Sequence, residues 1–378
     1  MIEIKKVQTK QELKAFVDFR YELYRDDECE VPCLFFDEMN TLNKEKNTAF
    51  DFCDAEYFTA WKNGKMVGRV AGIINHKANK RWNTSAVRFG WLDFIDDKNV
   101  SEALIRSVED WGRSRGMTQI IGPLGFTDMD HEGMMVEGFN ELGNMYSNHN
   151  FEYYPKHLEQ LHFEKDNDYL LYKITLPNDV PEKFKKIADI AEKRYNLHSK
   201  KLSRKDLLKG GYAAKIFEIV NTTYKDLYGY SELSEKQIAQ YTDEYIGMAD
   251  PKLISAVVDS NDNDKLVGFG VSLPSFSKAM QKLKKGRLFP FGWWHMIKVL
   301  KMHKTDTVDL LLIGVLPEYR SKGANALVFN DLVQQFIAYD FKYAEAMPQM
   351  ETNEKVRGNW EYFDSRQHKR LRCFKKKI

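Results

Sequence analysis

One series of elements is written twice along this chain. "AEYFTAWKNGKMVGRVAGIINH" places two strand-like runs around Asn63-Gly64, a dipeptide suited to the positive φ angles of a two-residue hairpin. "KLISAVVDSNDNDKLVGFGVSLP" places two more around the polar run Ser260 to Asp264. Ahead of the first hairpin lie a strand, "IEIKKV", and a helical stretch, "TKQELKAFVDFRYELYRD", with Thr9 as its cap; ahead of the second lies the helical "FEIVNTTYKDLYG". After the first hairpin come a strand "VRFGWLDF", a helix "SEALIRSVEDWGRSRG" capped by Ser101 and closed by Gly116, and a strand "TQIIGPLGF". After the second come "VDLLLIGVLP", "NALVFNDLVQQFIAYD" and "KYAEAMPQM", again strand, helix and strand. A repeated series of this kind predicts an α/β fold (α+β mixed sheet) in two tandem domains, each a central mixed sheet flanked by helices. The join falls near "TLPNDVPEKF", Thr175 to Phe184, where two prolines punctuate the chain, giving domains 1–176 and 177–378.

The length of 378 residues fits two domains. A formal net charge of only +2 gives no reason to expect a nucleic-acid partner. Four cysteines stand at Cys29, Cys33, Cys53 and Cys373, with no second matching pair and no histidine at zinc-like spacing, so they read as reduced thiols and no metal is expected. The opening "MIEIKKVQTKQEL" has no apolar signal core, and no apolar run approaches the about 20 residues that span a bilayer. The expected location is the cytoplasm or a membrane surface.

An insertion interrupts the second copy between Pro274 and Thr307. It is basic and aromatic and carries the pair Trp293-Trp294. Its stretch Phe289 to Leu300 suits a bilayer interface or an acyl tunnel, and equally an amphipathic helix packed on a core with solvated lysines. The ending "RQHKRLRCFKKKI" is also basic.

"VLPEYRSKGANAL" joins a strand to a helix. The first turn of a helix carries unpaired N–H groups and positive dipole, which suits an anion, and Gly323 lets a ligand approach the backbone while Arg320 adds charge. This stretch resembles the acyl-CoA-binding motif of the GNAT superfamily of N-acyltransferases, Gln/Arg-x-x-Gly-x-Gly/Ala after a strand and Val-x-Pro. Here the motif reads Arg320, Ser321, Lys322, Gly323, Ala324, Asn325, with Val315 before it and Asn325 departing at the last position. The two-copy order is similar to tandem GNAT proteins. "FRYELYRDDECEVPCLFFDE", "GPLGFTDMDHEGMMVEGF" and "ETNEKVRGNWEYFDSRQHKRLRCF" resemble a bacterial set of these, some of which are associated with N-acylation of a sphingoid base to give ceramide. The resemblance implies acyl-CoA or acetyl-CoA as co-substrate and a small-molecule or lipid amine as acceptor. At the matching point the first domain reads "FIDDKNVSEAL", where Asp96 and Asp97 repel a phosphate, so only the second domain is expected to bind the donor.

N-acylation needs a base for the amine and a proton for the leaving thiolate, with backbone N–H groups to polarise the thioester. GNAT proteins often place a Tyr seven residues after an Asn; after Asn353 that position is Trp360, and Tyr362, two further on, is turned roughly 200° on a helix. Tyr362 is kept as a candidate acid beside its reading as a core aromatic. Glu345 and Glu351 flank "AMPQM" as candidate proton relays or strand-end carboxylates, and His368 reads as a surface histidine among cations. "DMDHEGMMVEGF" holds the densest acid–histidine cluster; His131, Glu132 and Glu137 are expected to attract the cationic acceptor amine. Three further readings stand beside the N-acyltransferase: a degenerate acyl-CoA-binding module, an aminoacyl-tRNA-dependent transferase, and a lipid-amine form working at a membrane surface.

Overall fold

The computed structural model describes residues 1–246, 249–353 and 357–378, so part of the "ETNEKVRGNW" stretch lies outside the described residues. The first copy runs β1 (Glu3–Lys6), α1 (Lys10–Leu23), α2 (Phe35–Thr41), β2 (Cys53–Lys62), β3 (Lys65–Asn75), α3 (His76–Trp82), β4 (Ala86–Phe94), α4 (Lys98–Ser114), β5 (Gln119–Gly122), β6 (Met134–Glu137), α5 (Tyr153–Gln160) and β7 (Glu164–Thr175). The second runs α6 (Glu182–Tyr195), β8 (Leu197–Ser199), α7 (Arg204–Leu208), α8 (Tyr212–Tyr224), α9 (Glu235–Tyr241), β9 (Ile254–Asp259), β10 (Lys265–Pro274), α10 (Ser277–Met280), α11 (Gly292–Met302), β11 (Thr307–Val315), α12 (Ala324–Ala338), β12 (Tyr343–Met350) and β13 (Asp364–Lys377).

Local chemistry explains most of these limits. Thr9 and Glu12 close a capping box at α1, and Asn63 and Gly64 take the two positive φ angles of the β2–β3 turn. Two expectations are corrected. Helix α4 begins three residues earlier than its serine: Asp97 is the cap, accepting from the Asn99 N–H, while Ser101 is buried in the first turn and bonds Lys98 O and His157 Nδ1. Strand β5 stops at Gly122, because Pro123 has no backbone N–H to serve as the next ladder donor.

The chain forms two compact units. Unit 1 comprises Met1–Leu170, Phe276–Val299 and His368–Ile378; unit 2 comprises Leu171–Ser275 and Leu300–Gln367. The 1–176 and 177–378 division therefore assigns to the second half two segments, the insertion and the C-terminal strand, that fold with the first. In unit 1 the strand order is β1-β2-β3-β4-β5-β13, with β6 also on β13 and the start of β7 beyond it. In unit 2 the end of β7 is followed by β12-β11-β10-β9-β8. Each unit has three antiparallel neighbours and then one parallel pair, β4–β5 and β11–β12 respectively. A mixed sheet with this order recurs because each unit is built from the same series.

Helix α4 buries Val100, Leu104, Ile105 and Val108 on one face of the unit 1 sheet, while α1 buries Phe16 and Val17 in a second core containing Ala71 and Ile73. In unit 2, α6 and α12 share a core with Val308, Ala344 and Ala346. Each fully buried aliphatic side chain contributes about 1.5–3 kcal/mol, so these faces fix which side of each strand turns inward. Glycines bring the helices close in both units: a Cβ at Gly68 would lie 2.7 Å from Leu104, and one at Gly270 would lie 2.7 Å from Val328.

Candidate functional site

In unit 2, β11 and β12 pair only from Thr307↔Tyr343 to Leu310↔Ala346. Both strands continue, β11 to Val315 and β12 to Met350, so they part in the middle of the sheet. The parting begins at a bulge. Leu310 faces Ser272 and Leu312 faces Val271 on β10, leaving Leu311 as the extra residue. A bulge of this kind bends its strand and re-aims its groups. Leu310 to Ile313 are consequently only half-buried in a strand that is otherwise central. Unit 1 repeats the device: β4–β5 pairing ends at Arg88↔Ile121, and β4 carries an extra residue between Gly90 and Asp93, where Trp91 has a φ of 46°.

The turn after β11 holds the motif residues. Val315 ends the strand, buried, and its carbonyl accepts from Arg320 Nε at 3.2 Å. Arg320 and Ser321 are exposed, and the Lys322 ammonium lies 4.3 Å from the ring centre of Tyr319. Ala324 is buried, and Asn325 donates to Asn359 Oδ1 at 2.9 Å. The residue that departs from the motif is therefore engaged in tying the helix start to the chain after β12. Gly323 caps α12 with a φ of 83° and without a side-chain hydrogen bond. A Cβ there would lie 2.9 Å from Ile187 of α6, so the bare side of Gly323 packs on protein. This corrects the sequence argument, in which that side admits a ligand. The corresponding helix start in unit 1 is closed: Asp97 accepts from the Asn99 N–H and from Lys62 Nζ, and Asp96 accepts from His157 Nε2 at 2.9 Å.

Strand alternation sorts the candidate acids of unit 2. Ala344 and Ala346 face the α6–α12 core, so Glu345 faces the opposite side; its register partner Asp309, fully buried between Val308 and Leu310, does the same. That side is the one covered by α8, because a Cβ on Gly314 would meet Thr223 of α8 at 3.2 Å. Tyr362 packs instead on Phe184 of α6, 40% exposed, with its hydroxyl against Lys183 Nζ. Glu345 and Tyr362 are thus on opposite faces and are not brought together. Glu351 lies in the turn after β12, where its carbonyl accepts from Arg357 Nη1 at 2.7 Å.

The hydroxyl that does reach the parted strands belongs to Tyr224, at the end of α8. It donates to Ile313 O at 3.1 Å and accepts from Ile313 N at 3.3 Å. Tyr230 stacks edge-on against it and hydrogen-bonds Asn221, which also bonds both backbone groups of Leu233. Burial pushes the Tyr224 phenol up to about 12. Asp309 had a sequence signal, a lone acid in an apolar strand; Tyr224 had none.

The acid–histidine cluster forms in unit 1, in the loop between β5 and β6. Asp130 closes a turn by accepting from Thr127 N at 2.9 Å, and His131 Nε2 bonds Met145 O at 2.9 Å. Arg88, buried on β4, bonds the carbonyls of Gly125 and Phe126 behind the loop. Asp128, Asp130, His131 and Glu132 are half-buried, open to solvent yet deep enough for burial to govern their titration. Burial, with Asp130 adding to it and Arg88 opposing it, pushes Asp128 up to about 7. Burial and the nearby Glu38 raise Asp130 to about 6 against its backbone hydrogen bonds. Glu132 is raised well above the usual range by burial and by Asp128, and burial lowers His131. Glu137 is not part of the group: it is exposed on β6 and paired with Arg370 at 3.0 Å. Asp128 is the member the sequence argument left out.

Several other features are structural. Arg20 binds Glu30 with both ends of its fork, at 2.9 and 3.0 Å, and Asp93 at 2.9 Å, while Arg69 binds the other oxygen of Asp93 at 2.8 Å. Burial alone would raise Asp93, but these two guanidiniums hold it below the usual range. The basic ending is matched by acids: Arg370 and Arg372 on Asp168, Lys375 on Asp166, Lys376 on Glu109. His368, expected at the surface, is buried beside Glu141. All four cysteines are free thiols, and among the described residues no group of three metal-ligating side chains forms.

The insertion is anchored on unit 1. Gln281 donates to Glu28 O and Glu30 O, and Arg287 pairs with Asp18 at 2.7 Å. Its far end projects: Phe289 is 80% exposed and Phe291 78%, and Trp293 and Trp294 are exposed beside them. Among the described residues no helix is long and apolar enough to cross a membrane.

Two parallel-paired, bulged and parted strand pairs in tandem define a fold class. The chain has the tandem GNAT fold: it is similar over its whole length to a tandem GNAT protein from the clavulanic acid biosynthesis pathway (TM-score 0.55, 10% identity, covering 98% of that chain). It is likewise similar to a GCN5-related N-acetyltransferase from Sphaerobacter thermophilus (TM-score 0.53, 11% identity, 100% of this chain and 95% of that one). No family model matches the chain. In sequence it is 28% identical over 376 residues to Protein YghO of Escherichia coli strain K12, covering 98% of this chain and 94% of that protein. It is 27% identical over 317 residues to the bacterial ceramide synthase of Caulobacter vibrioides, covering 83% of this chain and 80% of that protein.

Proposed function

We propose that the protein is an acyl-CoA-dependent N-acyltransferase whose donor is held by unit 2. The observation that carries this reading is the bulged β11 leaving β12 beyond Leu310, followed directly by the Pro317–Lys322 turn and the uncapped start of α12. Parted strands offer backbone groups to a thioester arm, and a helix start with Arg320 and Lys322 nearby suits a pyrophosphate. In the reaction the amine nitrogen bonds to the acyl carbon, the carbon–sulfur bond breaks, the nitrogen loses a proton and the thiolate gains one.

The acceptor in this reading is a lipid amine. The similarity to a bacterial ceramide synthase supports that class, and the exposed Phe289, Phe291, Trp293 and Trp294 suit a bilayer surface from which such an amine is drawn. His131 and Glu132 lie in the acid cluster assigned to the ammonium; Glu137, tied to Arg370, is assigned at most to its rim. Glu345 remains the proposed relay in unit 2, beside Asp309. A binding module without turnover is the second reading, favoured by the placement of Tyr362 on the face away from Glu345. The pairing of the C-terminal cations with Asp166, Asp168 and Glu109 disfavours a tRNA-dependent reaction.

Calorimetry with palmitoyl-CoA tests the donor site. Arg320→Glu, at an exposed position, is expected to weaken binding about tenfold, the size of one lost charge-assisted contact, with an unchanged melting temperature. Equal affinity in the variant sinks the proposed donor site.

A further inference from the structure

One contact within unit 2 fills the place that its parted strands would offer to a donor. Ile313 lies opposite Gly270 on β10, beyond the last β11–β12 pair, Leu310↔Ala346. In an antiparallel ladder the N–H and C=O of one residue point to the same side. A single phenol oxygen, that of Tyr224, reaches both groups of Ile313, so they turn away from Gly270 toward the side that β12 has left. An extended chain carrying amide donors and acceptors would pair with these same two groups, as an added strand does. The phenol and such a chain exclude one another. The phenol's hold is also loose. Its contacts, 3.1 Å to the carbonyl and 3.3 Å to the N–H, are longer than the commonest values of about 2.7–2.8 Å and about 2.9–3.0 Å. Little is lost when a ligand supplies better partners.

The chain that follows Tyr224 spans the gap between the strands. Tyr228 donates its N–H to Met350 Sδ, 3.4 Å away at the end of β12. One short segment therefore touches both parted strands, β11 through Tyr224 and β12 through Tyr228. It is also tied to α8. Asn221, one turn before Tyr224, bonds both backbone groups of Leu233 and accepts from the Tyr230 hydroxyl, and Tyr230 packs edge-on against Tyr224. These ties make residues 224–233 one piece with the end of α8, so Tyr224 cannot leave Ile313 without carrying the segment with it.

We propose that Tyr224 and the segment after it form a gate on the donor site, closed by the Ile313 contact and opened when the arm of acyl-CoA takes the phenol's place on β11. The gate rests on the donor reading of unit 2. A gate closed in about two-thirds of the molecules leaves one-third competent to bind and weakens the apparent affinity about threefold. Removing the hydroxyl abolishes the closed state and returns that factor. A phenol that only braces the strand gives no such gain.

The test is stopped-flow binding of palmitoyl-CoA to wild type and Tyr224→Phe, with hydrogen exchange of wild type measured with and without palmitoyl-CoA. Tyr224→Phe is expected to associate about threefold faster and to dissociate at the wild-type rate. In wild type, donor binding is expected to slow exchange on β11 and to speed it in residues 225–233, as the segment leaves Met350. The exchange measurement needs no variant. A wild type that binds palmitoyl-CoA, with Tyr224→Phe no faster or with residues 225–233 slowed together with β11, overturns the gate alone. A wild type that does not bind palmitoyl-CoA overturns the donor reading and the gate with it.

Discussion

The Tyr224 hydroxyl holds both backbone groups of Ile313, donating to its carbonyl at 3.1 Å and accepting from its N–H at 3.3 Å. Ile313 lies on β11 beyond the last residue paired with β12, so its polar groups would otherwise have no strand partner on that side. A phenol at this position competes with any ligand that pairs with the same stretch of strand. Tyr224→Phe is expected to tighten palmitoyl-CoA binding about threefold by calorimetry. It is expected to lower stability in urea by about 1–2 kcal/mol, the net worth of one or two hydrogen bonds. Unchanged affinity would mean that the donor arm does not run along Ile313.

Gly323 is required by shape. Its φ of 83° is costly for any side chain, and a Cβ would meet Ile187 at 2.9 Å. Gly323→Ala is expected to destabilise the protein by about 1–3 kcal/mol in urea, from left-handed backbone strain and overpacking against α6. A variant as stable as wild type would contradict the packing described.

Asp128 has a pH signature in stability. Its folded pKa, about 7, lies above its ordinary value of 3.8, so the folded state binds more protons than the unfolded state between the two. The stabilisation is complete below the lower value and is lost as pH rises through the upper one. Asn cannot ionise. Asp128→Asn is therefore expected to melt close to wild type at pH 5 and above it at pH 8. Melting curves at the two pH values decide the matter, and a variant less stable at pH 8 than at pH 5, relative to wild type, reverses the sign.

The projecting aromatics should matter at a surface and nowhere else. Phe291→Ser with Trp294→Ser removes two exposed rings from a segment held by Gln281 and Arg287 at its other end. The double variant is expected to bind phosphatidylglycerol vesicles at least tenfold more weakly by co-sedimentation while melting as wild type does. Equal vesicle binding excludes this segment as the contact.

The repeated hairpins, the helix after each, and the strand–turn–helix around Gly323 could be read from sequence because each is specified locally, by turn residues and by hydrophobic spacing. What could not be read depends on partners far along the chain. The basic ending reads as a charged tail because Asp166, Asp168 and Glu109, which neutralise it, are hundreds of residues away. The motif spacing drew attention to Tyr362, but sheet alternation and the Phe184 contact put it on the wrong face for Glu345. Tyr224 and Asp128 escaped notice for a related reason: one is an ordinary helix-end tyrosine and the other an ordinary loop aspartate until the fold sets what surrounds them. The cluster around His131 and Glu132 was found because its residues are neighbours in sequence, and Glu137 was wrongly grouped with them for the same reason.

Thiol release from acyl-CoA donors of increasing chain length, with a long-chain primary amine at pH 8, tests the central claim most directly. Turnover that rises with acyl length, yields one amide per thiol released and falls at least tenfold in Arg320→Glu is the result expected. Tight acyl-CoA binding with no thiol released for any amine would contradict it and make the tandem fold a binding module.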